Sequence, residues 1–149
     1  MDTLDEILKQ YRYRSPVEMR WNDLDEVGHV NNAIYLTYFE QARVFYFHES
    51  CQWNWKDDGV IVASNLVNYI SPLFFPSPAY IYVRTTRLGT KSFDVEYHLV
   101  NEYPDRKELI VTGKTVLVMF DYKTQKPFPI PDHLRAKLIA YETTPIIVS

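Results

Sequence analysis

Cysteine occurs once in this chain, at Cys51, which rules out an internal disulfide framework and a zinc site built from thiolates. No His or Asn constellation surrounds Cys51 in sequence, so it reads as a spare thiol rather than a nucleophile. Basic runs are also missing: sixteen Lys and Arg against nineteen Asp and Glu leave a formal charge of −3. Nothing along the chain would release counterions from a nucleic acid backbone, and nucleic acid is not an expected partner. No apolar run approaches the length that spans a bilayer, and the segment Met1 to Glu6 lacks the basic and apolar regions of a signal peptide. The expectation is a cytoplasmic protein without a membrane partner. Repeats, low-complexity tracts and interdomain linkers are absent as well.

What remains is the composition of one domain. A chain of 149 residues is long enough to bury a real core and too short for two catalytic domains. Aromatic residues make up 15%, with twelve Tyr and eight Phe, which implies large apolar contact surfaces, some of them at an interface. The segment from residue 2 to 11 places Leu4, Ile7, Leu8 and Tyr11 at helical spacing. Val17, Met19 and Trp21 alternate with Glu18 and Arg20, the period-two pattern of a half-buried strand. From Asn32 to Glu49, Ile34, Tyr35, Tyr38, Phe39, Ala42, Phe45 and Tyr46 recur at intervals of three and four, predicting a long helix with Asn31 and Asn32 as capping residues. The opposite face, with Thr37, Glu40, Val44 and Phe47, is too apolar to be purely solvated and invites a partner subunit.

After Gly59 the pattern turns to strands over 60–69, 80–88, 93–100 and 109–120, with turn residues between them that imply antiparallel pairing. Gly113 lies inside the last of these and reads as a bulge. A final helix is predicted over 132–141. The order β-α-β-β-β-β gives an α+β fold, in which a curved antiparallel sheet wraps a long central helix.

The chemistry sits between the first strand and the long helix. Residues 20–32, RWNDLDEVGHVNN, place two carboxylates and a histidine on a loop that feeds a helix N-terminus. Free amides and the helix dipole there stabilise an oxyanion forming on a carbonyl. A thioester has an electrophilic carbonyl and a fair leaving group, so one carboxylate acting as nucleophile or general base suffices without a triad. Asp23 reads as a loop brace through side-chain to backbone bonds. His29 suits substrate contact, water orientation or loop support equally. Asp23, Asp25 and His29 lack the further ligand pair that a metal site needs, so no metal is expected. Glu40 and Arg43, three apart on the helix, would pair with each other. His48, His98 and His133 read as ordinary histidines.

The pattern D-x-D-x-x-G-H-V-N-N followed by a Y-F-E-Q-A-R helix resembles the 4-hydroxybenzoyl-CoA thioesterase family of hotdog-fold acyl-CoA thioesterases. The resemblance extends through Asn68 to Pro72, Arg87 to Phe93 and the Pro129-Ile130-Pro131 tail, most of residues 15–140 in a single domain of 1–149. It implies that Asp25 is catalytic and that the backbone amide of Asn32 polarises the thioester carbonyl. Gly28, His29, Asn31 and Tyr35 would line the substrate site. It also implies a homodimer or homotetramer with sites between subunits, and no cofactor. Where the family's aromatic-substrate enzymes have a different loop, this chain carries Gly28-His29-Val30-Asn31-Asn32, which leaves the acyl group open. For the CoA phosphates the candidate cations are Arg84, Arg87, Lys91 and Lys114.

Three rival readings stand beside this one. Asp23-Leu24-Asp25-Glu26-Val27 superficially matches the D-x-D-x-V nucleophile motif of haloacid-dehalogenase-like phosphatases, although that motif belongs after a parallel strand in an alternating α/β chain. A hotdog enoyl-thioester hydratase would use a paired Asp and His, and a non-catalytic acyl-CoA-binding module would need neither.

Overall fold

The computed structural model describes residues 2–149. A short helix, α1 (Leu4–Leu8), precedes strand β1 (Tyr13–Pro16) and one turn of 3₁₀ helix (Trp21–Asp23). The long helix α2 (Ile34–Cys51) follows, and then strands β2 (Val60–Tyr69), β3 (Ala79–Leu88), β4 (Ser92–Glu102) and β5 (Lys107–Asp121). A two-residue β6 (Lys126–Pro127), helix α3 (Asp132–Tyr141) and β7 (Ile147–Val148) complete the chain. The main sheet runs β1-β3-β4-β5-β2 with every neighbour antiparallel, and β7 adds to β3 in parallel. This is the curved hotdog arrangement, with α2 lying against one face of the sheet.

Periodicity in α2 becomes packing. Tyr35, Tyr38, Phe39, Ala42 and Tyr46 are buried, and Phe39 stacks on Tyr97 of β4 with ring centroids 4.3 Å apart. Full burial of each such ring contributes about 2 kcal/mol. The helix ends at Gln52, which adopts the left-handed conformation (φ 49°) and returns its N–H to the His48 carbonyl. Phe47, expected on the partner-facing side, is instead buried within its own chain, stacked on Trp53 at 4.6 Å. Leu36, Val44 and Phe45 remain exposed on α2.

Several expectations need correction. The helix proposed over residues 2–11 stops at Leu8, because Tyr11 leaves the spiral to bond His98 through its hydroxyl (2.8 Å) and to pack edge-on against Tyr82. The strand expected from Val17 lies earlier. Residues 17–20 keep the alternation of burial but lack a ladder, because β3 begins at Ala79 and the last bond to it is Val17 N–H to the Ala79 carbonyl (2.9 Å). Gly113 marks no bulge: the register is continuous there, and shifts fall between Val62 and Ser64, Thr85 and Arg87, and Leu99 and Val100. Its reason is close approach, since a Cβ at Gly113 would lie 2.4 Å from the Phe39 ring. Glu40 and Arg43 do not pair; the buried Arg43 guanidinium donates to the Tyr97 hydroxyl (2.9 Å).

β2 closes one end of the sheet and, among the described residues, is bonded to β5 alone. Ile61, Val62, Leu66 and Tyr69 are exposed along it, which is an unusually apolar edge.

Candidate active site

The loop between the 3₁₀ turn and α2 is tied down by its first carboxylate. Asp23 is buried and accepts from the Tyr38 hydroxyl (2.7 Å), the Arg20 backbone N–H (2.9 Å) and the Arg20 guanidinium (3.1 Å). Burial pushes its pKa up, but the Tyr38 and Arg20 hydrogen bonds outweigh that and hold it below the usual carboxylate value. Its backbone carbonyl accepts the Asn31 N–H (2.8 Å), closing the loop's two ends together. Asp23 is therefore a brace, with Tyr38 supplying a contact that lies fifteen residues away in sequence.

Asp25 is half-buried at the loop's turn. Its Oδ1 accepts from the N–H groups of Val27 (2.9 Å) and His29 (3.2 Å), while Oδ2 has no donor among the described residues. The backbone around it forms a tight return, with Asp25 N–H to the His29 carbonyl (2.7 Å) and Gly28 N–H to the Asp25 carbonyl (3.2 Å). That return requires Gly28 at φ +86°, a conformation that side chains resist. Gly28 therefore shapes the turn rather than lining a pocket.

The helix entrance supplies the complementary group. Among the described residues the amides of Asn31, Ala33 and Ile34 are occupied: Asn31 by the Asp23 carbonyl, Ala33 by Asn31 Oδ1 (3.0 Å) and Ile34 by the Asn31 carbonyl (2.9 Å). The Asn32 N–H between them has no acceptor among the described residues. This corrects the capping expectation: Asn31 Oδ1 bonds the Ala33 N–H in the turn before the helix, and neither Asn gives α2 a side-chain cap. Ala33, not an Asn, stands at the position before the first helical residue.

Asp25 and Asn32 line one open cleft of about 370 Å³ with His29, Val30 and Tyr35, and with Tyr69, Ile70, Ser71 and Pro72 from the end of β2. His29 presents its ring edge-on to Phe74 at 4.9 Å. Tyr35 is buried beside Tyr69, with centroids 5.6 Å apart, and burial raises its pKa above the ordinary tyrosine value. The β2 residues were not singled out for the site from sequence. The available signal was an aromatic residue ending a strand two positions before a Ser-Pro turn. Tyr69 donates its hydroxyl to the Asn32 carbonyl at 2.8 Å.

The four candidate cations do not join this cleft within one chain. Arg84, Arg87 and Lys114 project from the sheet face opposite α2, level with Glu96 and Asp94 across the ladder. Arg87 and Lys114 bind Asp94 at 3.0 and 3.2 Å. Burial raises the Asp94 pKa, yet these two donors hold it below the usual value. Arg84 lies over the Tyr11 ring at 5.6 Å. Lys91 is exposed in the β3–β4 turn with no side-chain partner among the described residues. The Cys51 thiol is buried and pushed up to about 11 by desolvation. Among the described residues no three His, Cys, Asp or Glu side chains gather to hold a metal ion, and no helix is long and apolar enough to cross a membrane.

Known proteins share this architecture. A model of the thioesterase-like superfamily matches residues 19–138. The long-chain acyl-CoA thioesterase FadM of Escherichia coli (strain K12) is 27% identical over 128 residues, covering 84% of this chain and 96% of that one. The uncharacterized protein YsmA of Bacillus subtilis (strain 168) is 26% identical over 130 residues, 87% of this chain and 86% of its own. A thioesterase from Thermus thermophilus, solved in complex with coenzyme A and Zn, superposes with a TM-score of 0.81 at 32% identity, covering 93% of this chain and 99% of that chain.

Proposed function

The chain belongs to the thioesterase-like superfamily, and from that premise we propose that it hydrolyses acyl-CoA thioesters to a carboxylic acid and free CoA, with Asp25 as the reacting carboxylate. The observation that carries this reading is the pairing, in one cleft, of a carboxylate oxygen without a donor and an amide N–H without an acceptor among the described residues, at Asp25 and Asn32. The thioester oxygen accepts from the Asn32 N–H as negative charge develops on it. Asp25 Oδ2 then adds to the carbonyl carbon, or takes a proton from the water that adds. Collapse breaks the C–S bond and CoA leaves as thiolate; where water added, the acid forms directly, and where Asp25 added, water then cleaves the acyl-Asp25 anhydride to release the acid and restore the carboxylate. Fixing Oδ1 with two backbone donors aims Oδ2. His29, Asn31 and Tyr35 contact the acyl portion, and Gly28 holds the turn that presents Asp25. The antiparallel sheet is not the alternating parallel scaffold on which the phosphatase reading depends.

A homodimer or homotetramer completes the site, with a second copy covering the apolar β2 edge and the exposed Leu36, Val44 and Phe45 of α2. Lys91 is the expected cation free to meet a CoA phosphate, since Arg87 and Lys114 are committed to Asp94. The test is thiol release from short, medium and long straight-chain acyl-CoAs and from benzoyl-CoA. Asp25→Asn should lower kcat at least about 100-fold on the best substrate while the assembly stays intact. Equal turnover in variant and parent would remove Asp25 from the chemistry, and hydration of an enoyl-CoA without thiol release would replace the reaction itself.

A further inference from the structure

We infer that Tyr69 is a positioning residue for this reaction: from the end of β2 it locks the peptide that follows Asn32, and so fixes the direction of the Asn32 N–H. The inference rests on the reading of Asp25 and Asn32 given above. Three bonds define the lock. The Tyr69 hydroxyl donates to the Asn32 carbonyl (2.8 Å), and the N–H at the other end of that same peptide, on Ala33, donates to Asn31 Oδ1 (3.0 Å). The preceding peptide, which carries the Asn32 N–H, is held at its carbonyl by the Ile34 N–H (2.9 Å). Rotation of either peptide plane would break at least one of these bonds. The open amide is thus held by its neighbours and left without an acceptor of its own.

Tyr69 is the member of this set that comes from the sheet. Its backbone pairs with Val111 of β5, and its ring packs edge-on against the buried Tyr35. The other two bonds are local to residues 31–34 and cannot by themselves set the entrance of α2 relative to the strand. An oxyanion donor acts through its aim at an atom that becomes charged only in the transition state. Loosening that aim lowers kcat and leaves ground-state binding nearly unchanged. Tyr69→Phe keeps the ring against Tyr35 and removes only the hydroxyl that donates to Asn32.

The experiment compares the parent, Asp25→Asn, Tyr69→Phe, Asn31→Ala and the Tyr69→Phe/Asn31→Ala pair, using the straight-chain acyl-CoA that the parent hydrolyses fastest. Tyr69→Phe should lower kcat about tenfold with KM within about twofold, less than the loss of an oxyanion donor itself because the amide remains. Its melting temperature should stay within about 4 °C of the parent, as expected for one hydrogen bond of a half-exposed hydroxyl. Since both side chains hold one peptide, the pair should be less impaired than the product of the single losses. An unchanged kcat, a loss confined to KM, or independent multiplied losses would overturn the role of Tyr69. If Asp25→Asn is inactive while Tyr69→Phe runs at full speed, the site reading survives and this inference falls. If Asp25→Asn runs at full speed, both fall together.

Discussion

Gly113→Ala tests whether α2 sits on the sheet as tightly as its contacts indicate. At a strand position of ordinary backbone, replacing Gly by Ala stabilises a protein by about 0.4–1 kcal/mol, because the unfolded chain loses freedom. Here the added Cβ would fall 2.4 Å from Phe39 Cε2 and 2.7 Å from Cζ. Carbon atoms prefer about 3.5 Å or more, so the ring or the strand must retreat by about 1 Å. The ring has little room to retreat: Phe39 is 1% exposed and stacked nearly parallel on Tyr97 at 4.3 Å. Overpacking of this kind costs about 1–3 kcal/mol, which exceeds the entropic gain and reverses the sign. The expected outcome is a loss of about 2 kcal/mol in urea unfolding with an unchanged slope against denaturant. Phe39→Leu combined with Gly113→Ala should recover part of that loss relative to the summed single effects, with a coupling of about 1 kcal/mol. A Gly113→Ala variant as stable as the parent, or more so, would refute the close approach of helix and sheet on which the placement of the α2 entrance depends.

Asp23→Ala strands the buried Tyr38 hydroxyl and frees the loop, so stability to urea should fall by about 2–4 kcal/mol and turnover should fall with it; unchanged values of both would deny Asp23 its bracing role. Glu142 is buried and accepts from the Tyr46 hydroxyl and the Thr85 N–H, and burial raises its pKa despite those donors. A raised carboxyl favours the folded state in acid, and that contribution is lost as pH climbs through the folded-state pKa. Glu142→Gln should therefore gain in melting temperature relative to the parent as pH rises from the ordinary glutamate range to neutrality, and a difference independent of pH would contradict it. Leu66→Asp places a charge on the exposed apolar edge and should shift sedimentation toward the monomer, whereas an unchanged mass would exclude this edge from assembly.

The long helix was readable because its aromatic residues repeat with the helical period, although the buried face is rotated from the one expected, so that Phe47 is buried and Phe45 exposed. The alternation in β4 was equally plain, since Phe93, Val95, Tyr97 and Leu99 all face the core. The end of β1 was not readable: Val17 and Met19 carry a strand pattern, but pairing stops where β3 starts, and that limit belongs to the partner strand. Local rules also mislead where a distant group competes. Arg43 has Glu40 one turn away, yet it bonds Tyr97, fifty-four residues on. Arg84 and Arg87 share a face despite odd spacing because a register shift intervenes, a feature their sequence does not announce. The loop from Asp23 to Asn32 was legible as a polar turn feeding a helix entrance, whereas the bond from Tyr69 to the Asn32 carbonyl required the sheet edge and that entrance to be seen side by side.

An edge strand that anchors one end of the loop at a helix entrance makes the loop only as steady as the strand. Outer strands open at little cost, and each opening of the last residues of β2 would slacken the phenolic tether before any other part of the cleft moved. Amide protons near Tyr69 should consequently exchange faster than those of β4, and whatever seals the open side of β2 would sharpen the site without touching substrate.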